Sequence, residues 1–156
     1  MFMAHQREAR KETTNLDPAF ALESGAIEQG VLPLVIALNE IPACSTIASC
    51  HGHRSRGFPF KRSAQKPYVL FRAPAVFAQK LTKWLEHGRG PSRDLAFVWA
   101  VTGYYYPPTC EELVWVIQAQ DIRLDLGWDQ VRIDADLQRL AVAIAQLREC
   151  NTYFEE

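Results

Sequence analysis

The residues of this chain that could do chemistry crowd into one stretch, Ser45-Thr46-Ile47-Ala48-Ser49-Cys50-His51-Gly52-His53-Arg54. Behind small and polar residues, a thiol, two imidazoles and a guanidinium fall within five consecutive positions. Three chemistries compete for such a cluster. As metal ligands, Cys44, Cys50, His51 and His53 offer soft and borderline donors. They form neither a paired Cys-x-x-Cys nor a His-x-x-x-His turn, and adjacent Cys50 and His51 on an extended chain would point to opposite sides. Cys110, after Pro107-Pro108-Thr109, could complete a zinc site only if the fold brings it close. Zinc is therefore the lesser alternative, and no residue is assigned to a metal. As a nucleophile, Cys50 with His51 or His53 and an acid such as Glu111 or Glu112 could imitate a Cys-His-acid arrangement. Nearby cations would lower the thiol's pKa. No nucleophile signature surrounds it, and the His-x-Glu with a later Cys-x-x-Cys of metal-dependent deaminases is missing. As an anion site, a strand running into Gly52 would turn backbone N–H groups toward a phosphate or carboxylate, beside Ser49, His53, Arg54 and Arg56.

Charge distribution favours the third chemistry. Overall, 17 Lys and Arg face 18 Asp and Glu, so a net charge of −1 gives no global pull toward nucleic acid or membrane. Locally the balance breaks. Cys50 to Lys66 carries Arg54, Arg56, Lys61, Arg62 and Lys66 and no acid. Phe58, Phe60 and Tyr68 interleave, as base stacking beside phosphate contacts would require. A solvated basic loop over ordinary packing would use the same residue types. Residues 1–106 hold 13 basic and 8 acidic side chains, whereas 107–156 hold 4 and 10. A nucleotide or RNA is thus the partner expected at the loop. The acidic 107–156 region is the surface for a protein partner, or for the basic loop of a second copy.

These residues need elements to position them. Residues 1–16 are polar and read as a flexible segment. Asp17 before Pro18 starts a helix that Gly30 could stop, and Pro33 opens a second through Glu40, ended by Pro42. Ala43 to Ser49 reads as a strand leading into the Cys50–Lys66 loop, and Pro67 to Arg72 as another. Phe77, Leu81, Trp84 and Leu85 predict a helix over Ala75 to His87, stopped by Gly88. Leu95 to Tyr105 and Leu113 to Ala119 read as paired strands around Pro107-Pro108. Asp129 caps a last helix on which Ile133, Leu137, Leu140, Ile144 and Leu147 recur. The order ααββαββα predicts a single α+β domain over 17–156, helices packed on a small, mostly antiparallel sheet. At 156 residues and 48% apolar, the chain is long enough for one core and too apolar for disorder. Its longest apolar runs, Val31–Leu38 and Leu95–Val101, fall far short of the roughly 20 residues of a membrane span. No secretory signal opens it, so a cytoplasmic protein with reduced cysteines is expected.

The ordered set Ser24-Gly25-Ala26-Ile27-Glu28, Leu32-Pro33-Leu34-Val35, Leu38-Asn39, Pro42, Ser45-Thr46 and Ser49-Cys50-His51-Gly52-His53 resembles the opening of the wybutosine-synthesis transfer-RNA methyltransferase family. There a Lys-Gly-Ser-Ile-Asp segment leads through a helix to Thr-Ser-Ser-Cys-Ser-Gly-Arg. The resemblance spans about residues 24–54. Here Ser24, Glu28 and His53 stand where the family has Lys, Asp and Arg. It implies an α/β protein that methylates a modified guanosine with S-adenosylmethionine. It also implies that Ser49, Cys50 and His53 lie at the reaction and that Ser24, Ser45 and Gly52 hold the cofactor. Arg54, Arg56, Lys61 and Arg62 would hold the substrate's anionic backbone. In such a pocket, proximity and orientation supply most of the rate. A non-enzymatic nucleic-acid or protein interaction module uses the same residues without turnover.

Overall fold

The protein's computed structural model describes residues 23, 25–54, 64–86 and 94–149. Four strands, β1 (Ser45–Cys50), β2 (Tyr68–Arg72), β3 (Trp99–Tyr105) and β4 (Leu113–Ala119), form one sheet in the order β1-β2-β4-β3. All three pairings are antiparallel. The helices are α1 (Leu32–Asn39), preceded by a 3-10 turn over Gln29–Val31, α2 (Ala75–Glu86), the single turn α3 (Arg123–Leu126) and α4 (Gln130–Glu149). The α+β class is the one the sequence predicts, and so is the element order over the described residues apart from the added single turn α3. The expected flexible segment 1–16 and most of the helix opened by Asp17 lie outside the described residues. No helix among the described residues is long and apolar enough to cross a membrane.

Strand pleat sorts the sheet into two faces. Val69, Phe71, Ile117 and Ala119 join Leu34, Leu38, Phe77, Leu81 and the α4 stripe Ile133, Leu137, Leu140 and Ile144 in the main core. The opposite face carries a second buried cluster of Ile47, Leu70, Val114 and Val116. A bulge between Thr46 and Ala48 puts both Ile47 and Ala48 with that second cluster. Helix α1 is apolar nearly all round because α4, β1 and the start of the chain's described part enclose it, so Leu34, Val35, Ala37 and Leu38 are buried.

Three expected boundaries shift, each for a local reason. Gly30 does not stop the first helix; residues 25–28 are already non-helical, and Gly25 takes the left-handed conformation at φ 67°. Strand β3 starts at Trp99 rather than Leu95. The peptide N–H groups of Ala96 and Phe97 donate to Asp136 (2.7 and 3.0 Å) and that of Val98 to Asp121 (3.0 Å), not to a ladder. Finally, the Cys50–Lys66 loop is not open at its base. His53 N–H donates to Gln65 O (2.8 Å) and Gln65 N–H to His53 O (2.9 Å), extending the β1–β2 hairpin past Cys50.

Acidic side chains fasten this layer. Asp136 is fully buried and accepts from two backbone N–H groups and, at 2.9 Å, from Trp99 Nε1. A buried carboxylate is tolerated because those donors replace its water. Asp121 receives Arg123 Nη2 at 2.6 Å, and the same guanidinium reaches Ala96 O at 2.7 Å. Asp129 accepts from Arg132 N–H (3.1 Å), capping α4 as predicted.

The Arg123 guanidinium, together with N–H donors from Val98 and Arg123, holds the Asp121 carboxyl well below the usual carboxylate range, against the opposing effect of its burial. On acidification the unfolded chain therefore takes up this proton first. The Asp121 contribution is full above about pH 5 and is lost as pH falls through and below the unfolded value of about 3.9. Asp121→Asn should cost about 1–3 kcal/mol at pH 7. The variant and wild type should converge toward pH 2. Urea denaturation at pH 7, 5, 4 and 3 checks this; a constant gap across the series contradicts it.

Candidate functional site

The chemistry-bearing residues gather where β1 runs out. In β1, Ser49 pairs with Val69 and Cys50 with Tyr68, so Ser49 faces the helices and Cys50 the opposite side. Beyond Cys50 the chain meets two other segments. One is the turn before α1, which brings Glu28 and Gly30. The other is the start of α4, which brings Trp128, Gln130 and Asp134.

His51 is the hinge of this junction. Its Nε2 lies 2.5 Å from Asp134 Oδ1 and 2.8 Å from Gln130 Nε2. Trp128 Nε1 donates to Gln130 Oε1 (3.0 Å), which turns the amide nitrogen of Gln130 toward Asp134 Oδ1 (3.0 Å). Asp134 Oδ1 thus accepts from Gln130 Nε2 and meets His51 Nε2. The imidazole lies flat against Gly30: a Cβ there would sit 2.0 Å from His51 Nε2. Gly30 is thus required by close approach of a side chain, not by a helix stop. Gly52 is also required. It has φ 95° and is buried, and a Cβ would meet Trp128 Cη2 at 2.8 Å.

The backbone amides expected to cradle an anion all have partners in the chain. His51 N–H donates to Glu28 Oε2, Gly52 N–H to Cys50 Sγ (3.3 Å), and His53 N–H to Gln65 O (2.8 Å). A phosphate or carboxylate would have to displace one of them. The expected activation of Cys50 is reversed as well. Burial, then the negative charge of Glu28 and a hydrogen bond to it, outweigh the Gly52 N–H and push the Cys50 thiol up to about 11. At neutral pH it is a protonated thiol, not a nucleophilic thiolate. Burial likewise pushes Cys44 up to about 12.

The structure unites some predicted site residues and separates others. Cys50, His53 and Gly52 sit together with Glu28, and exposed Arg54 follows directly. Ser45 begins β1, five residues from Cys50 and roughly 17 Å away at strand rise. It therefore does not share the Cys50 site. Ser49 Oγ is buried and finds no hydrogen-bond partner among the described residues. Ser24, Arg56, Lys61 and Arg62 lie outside the described residues. Lys66, the last cation of the basic segment, is held by Asp125 Oδ2 at 2.9 Å, and Ala64 N–H donates to the other oxygen at 3.1 Å. The acidic 107–156 region therefore spends charge within the chain: Asp125 on Lys66, Asp134 on His51, and Glu112 on Arg72 (2.6 Å). Glu111, Glu112 and Cys110 stay at the β3–β4 connection and do not complete a Cys50 site.

Sequence reasoning missed Gln130, Asp134 and Trp128. The signal available was Gln130 and Asp134 four apart on a helix, hence on one face. Nothing local linked that face to His51. Glu28 entered only through the family resemblance.

No protein-family model and no curated protein matches this chain. Among solved structures it is similar to the PH1069 protein from Pyrococcus horikoshii, at 15% identity and a TM-score of 0.48, over 83% of this chain and 89% of that one.

The His51–Gly30 contact makes a testable pair. Gly30→Ala should destabilise the protein by about 1–3 kcal/mol through overpacking. In a His51→Ala background the same change should cost less than about 0.5 kcal/mol, since the clash is gone. Urea denaturation of the four proteins checks this. An equal cost in both backgrounds would remove the contact.

Proposed function

We propose that this chain is a diverged relative of the wybutosine-synthesis transfer-RNA methyltransferases that binds a nucleotide-like or nucleic-acid anion through the loop between His53 and Gln65. The observation that carries this reading is the hydrogen-bonded pair His53–Gln65, which joins the two ends of that segment beside the cluster of Cys50, His53 and Glu28. In sequence the closed loop holds Arg54, Arg56, Lys61 and Arg62 with Phe58 and Phe60 and no acid. Cations with interleaved aromatics suit phosphate contact beside base stacking. Lys66, at the foot of the loop, is neutralised by Asp125, so this reading assigns the anion to the segment's other cations, Arg54, Arg56, Lys61 and Arg62. The family relation draws support from convergence. Glu28 and Cys50–His53, two separate parts of the resembling segment, meet in space.

Of the residues assigned to S-adenosylmethionine by resemblance, the two that are described, Ser45 and Gly52, do not form a cradle for it. Ser45 is at the far end of β1, and Gly52 is buried with its N–H on Cys50 Sγ. No step of methyl transfer is derived through that cofactor, and binding without turnover is the form the geometry favours. Exposed His53, on the Cys50 side, is the residue on which an enzymatic form would turn, whereas Ser49 faces the helices on the other side of the sheet. Methylation of bound RNA, abolished by His53→Ala, would establish that form.

Fluorescence anisotropy with a labelled transfer RNA and a short single-stranded RNA tests binding. Arg54→Ala with Lys61→Ala should weaken it about 5–20-fold. The slope of log affinity against log salt should fall by about one and a half, the counterions of two phosphate contacts. Affinity that is independent of salt, or indifferent to these two cations, would overturn the reading.

A further inference from the structure

We propose that Glu28, Cys50 and His53 form a binding site for one zinc-class divalent cation, with a fourth position open to water or a small ligand. A carboxylate oxygen, a sulfur and a ring nitrogen from these residues all lie within 4.8 Å of one another. His53 Nε2 is 3.8 Å from Glu28 Oε1. In a tetrahedral zinc site, metal–sulfur bonds of about 2.3 Å and metal–nitrogen or –oxygen bonds of about 2.0–2.1 Å put ligand atoms about 3.3–3.6 Å apart. Small rotations of the exposed His53 and Glu28 side chains close the difference.

The backbone around these ligands is already arranged. On a regular strand, positions three apart point to opposite faces. The positive φ of Gly52 breaks that alternation and returns His53 to the side of Cys50. The same turn aims Gly52 N–H at Cys50 Sγ, a donor that stabilises charge on a metal-bound sulfur. Glu28 is oriented through its other oxygen, which accepts His51 N–H, and His53 is fixed by its two bonds to Gln65. His51 in turn is held by Asp134 and Gln130, so the anchoring reaches α4. One sulfur, one nitrogen and one oxygen donor suit zinc; magnesium and calcium select oxygen alone. Three protein ligands rather than four is the pattern of sites where the metal activates a bound water or polarises a carbonyl or phosphoryl oxygen. This inference rests on the side-chain geometry and is independent of the family relation.

The test uses the full chain, stripped with chelator and then titrated with zinc against a chromophoric chelator, and separately with cobalt(II). One metal per chain at a dissociation constant of about a micromolar or tighter is expected, with tetrahedral cobalt bands and a sulfur-to-cobalt charge-transfer band. Cys50→Ser should abolish the charge-transfer band. His53→Ala and Glu28→Gln, both at exposed side chains, should weaken zinc about 10–100-fold, and Cys110→Ser should change nothing. Circular dichroism of each variant establishes that it is folded. Binding weaker than about 100 µM, a cobalt spectrum without the sulfur band, or full zinc affinity in His53→Ala and Glu28→Gln would overturn the proposal.

Discussion

The contact on which the rest of this molecule depends is the docking of the end of β1 onto the first turns of α4. His51 carries it, wedged between the bare backbone of Gly30 and the Asp134 carboxylate. Trp128 supplies the second half, lying over Gly52 while its indole N–H fixes Gln130. Without that docking, the chain past the edge strand β1 would lose its ties to Glu28 and to α4. With it, three segments distant in sequence are forced together within a few ångströms. Glycine at two of the contact points is what lets side chains and backbone approach so closely.

A second constraint is electrostatic. The acidic surplus of the last third of the chain reads at first as an outward surface. Much of it is turned inward instead. Asp136 replaces the ladder for the segment leading into β3, Asp121 ties that segment to Arg123, and Asp125 ties the foot of the basic loop to α3. Each carboxylate thereby satisfies backbone N–H groups that no strand or helix could pair. At the C-terminal foot of the basic segment, Ala64 N–H and Lys66 Nζ are both held by the one carboxylate of Asp125.

Elements with strong local signals were legible in the sequence. The α4 repeat from Ile133 to Ile144, the apolar run of β4 and the Asp129 cap depend on local composition, periodicity and capping. The cluster at Cys50 was legible as a set of residue types. Its geometry was not, because it depends on Glu28 arriving from before α1 and Asp134 from α4, together with the positive φ of Gly52. Three local expectations are reversed there. Gly30 resembles a helix stop but serves His51, and the amides past Cys50 resemble an anion nest but are already bonded. The cations near Cys50 suggest a lowered thiol pKa, whereas burial and Glu28 raise it. In all three cases tertiary contact, invisible to a window of neighbouring residues, outweighs the local rule.

Amide hydrogen exchange, read residue by residue by nuclear magnetic resonance, tests the clamped junction most directly. The N–H groups of His51, Gly52 and His53 each have an acceptor within the chain, so they should exchange as slowly as those of β1 and β2. Exchange of these three amides at the rate of an unstructured loop, with β1 and β2 still protected, would contradict the account and return the segment past Cys50 to an open loop.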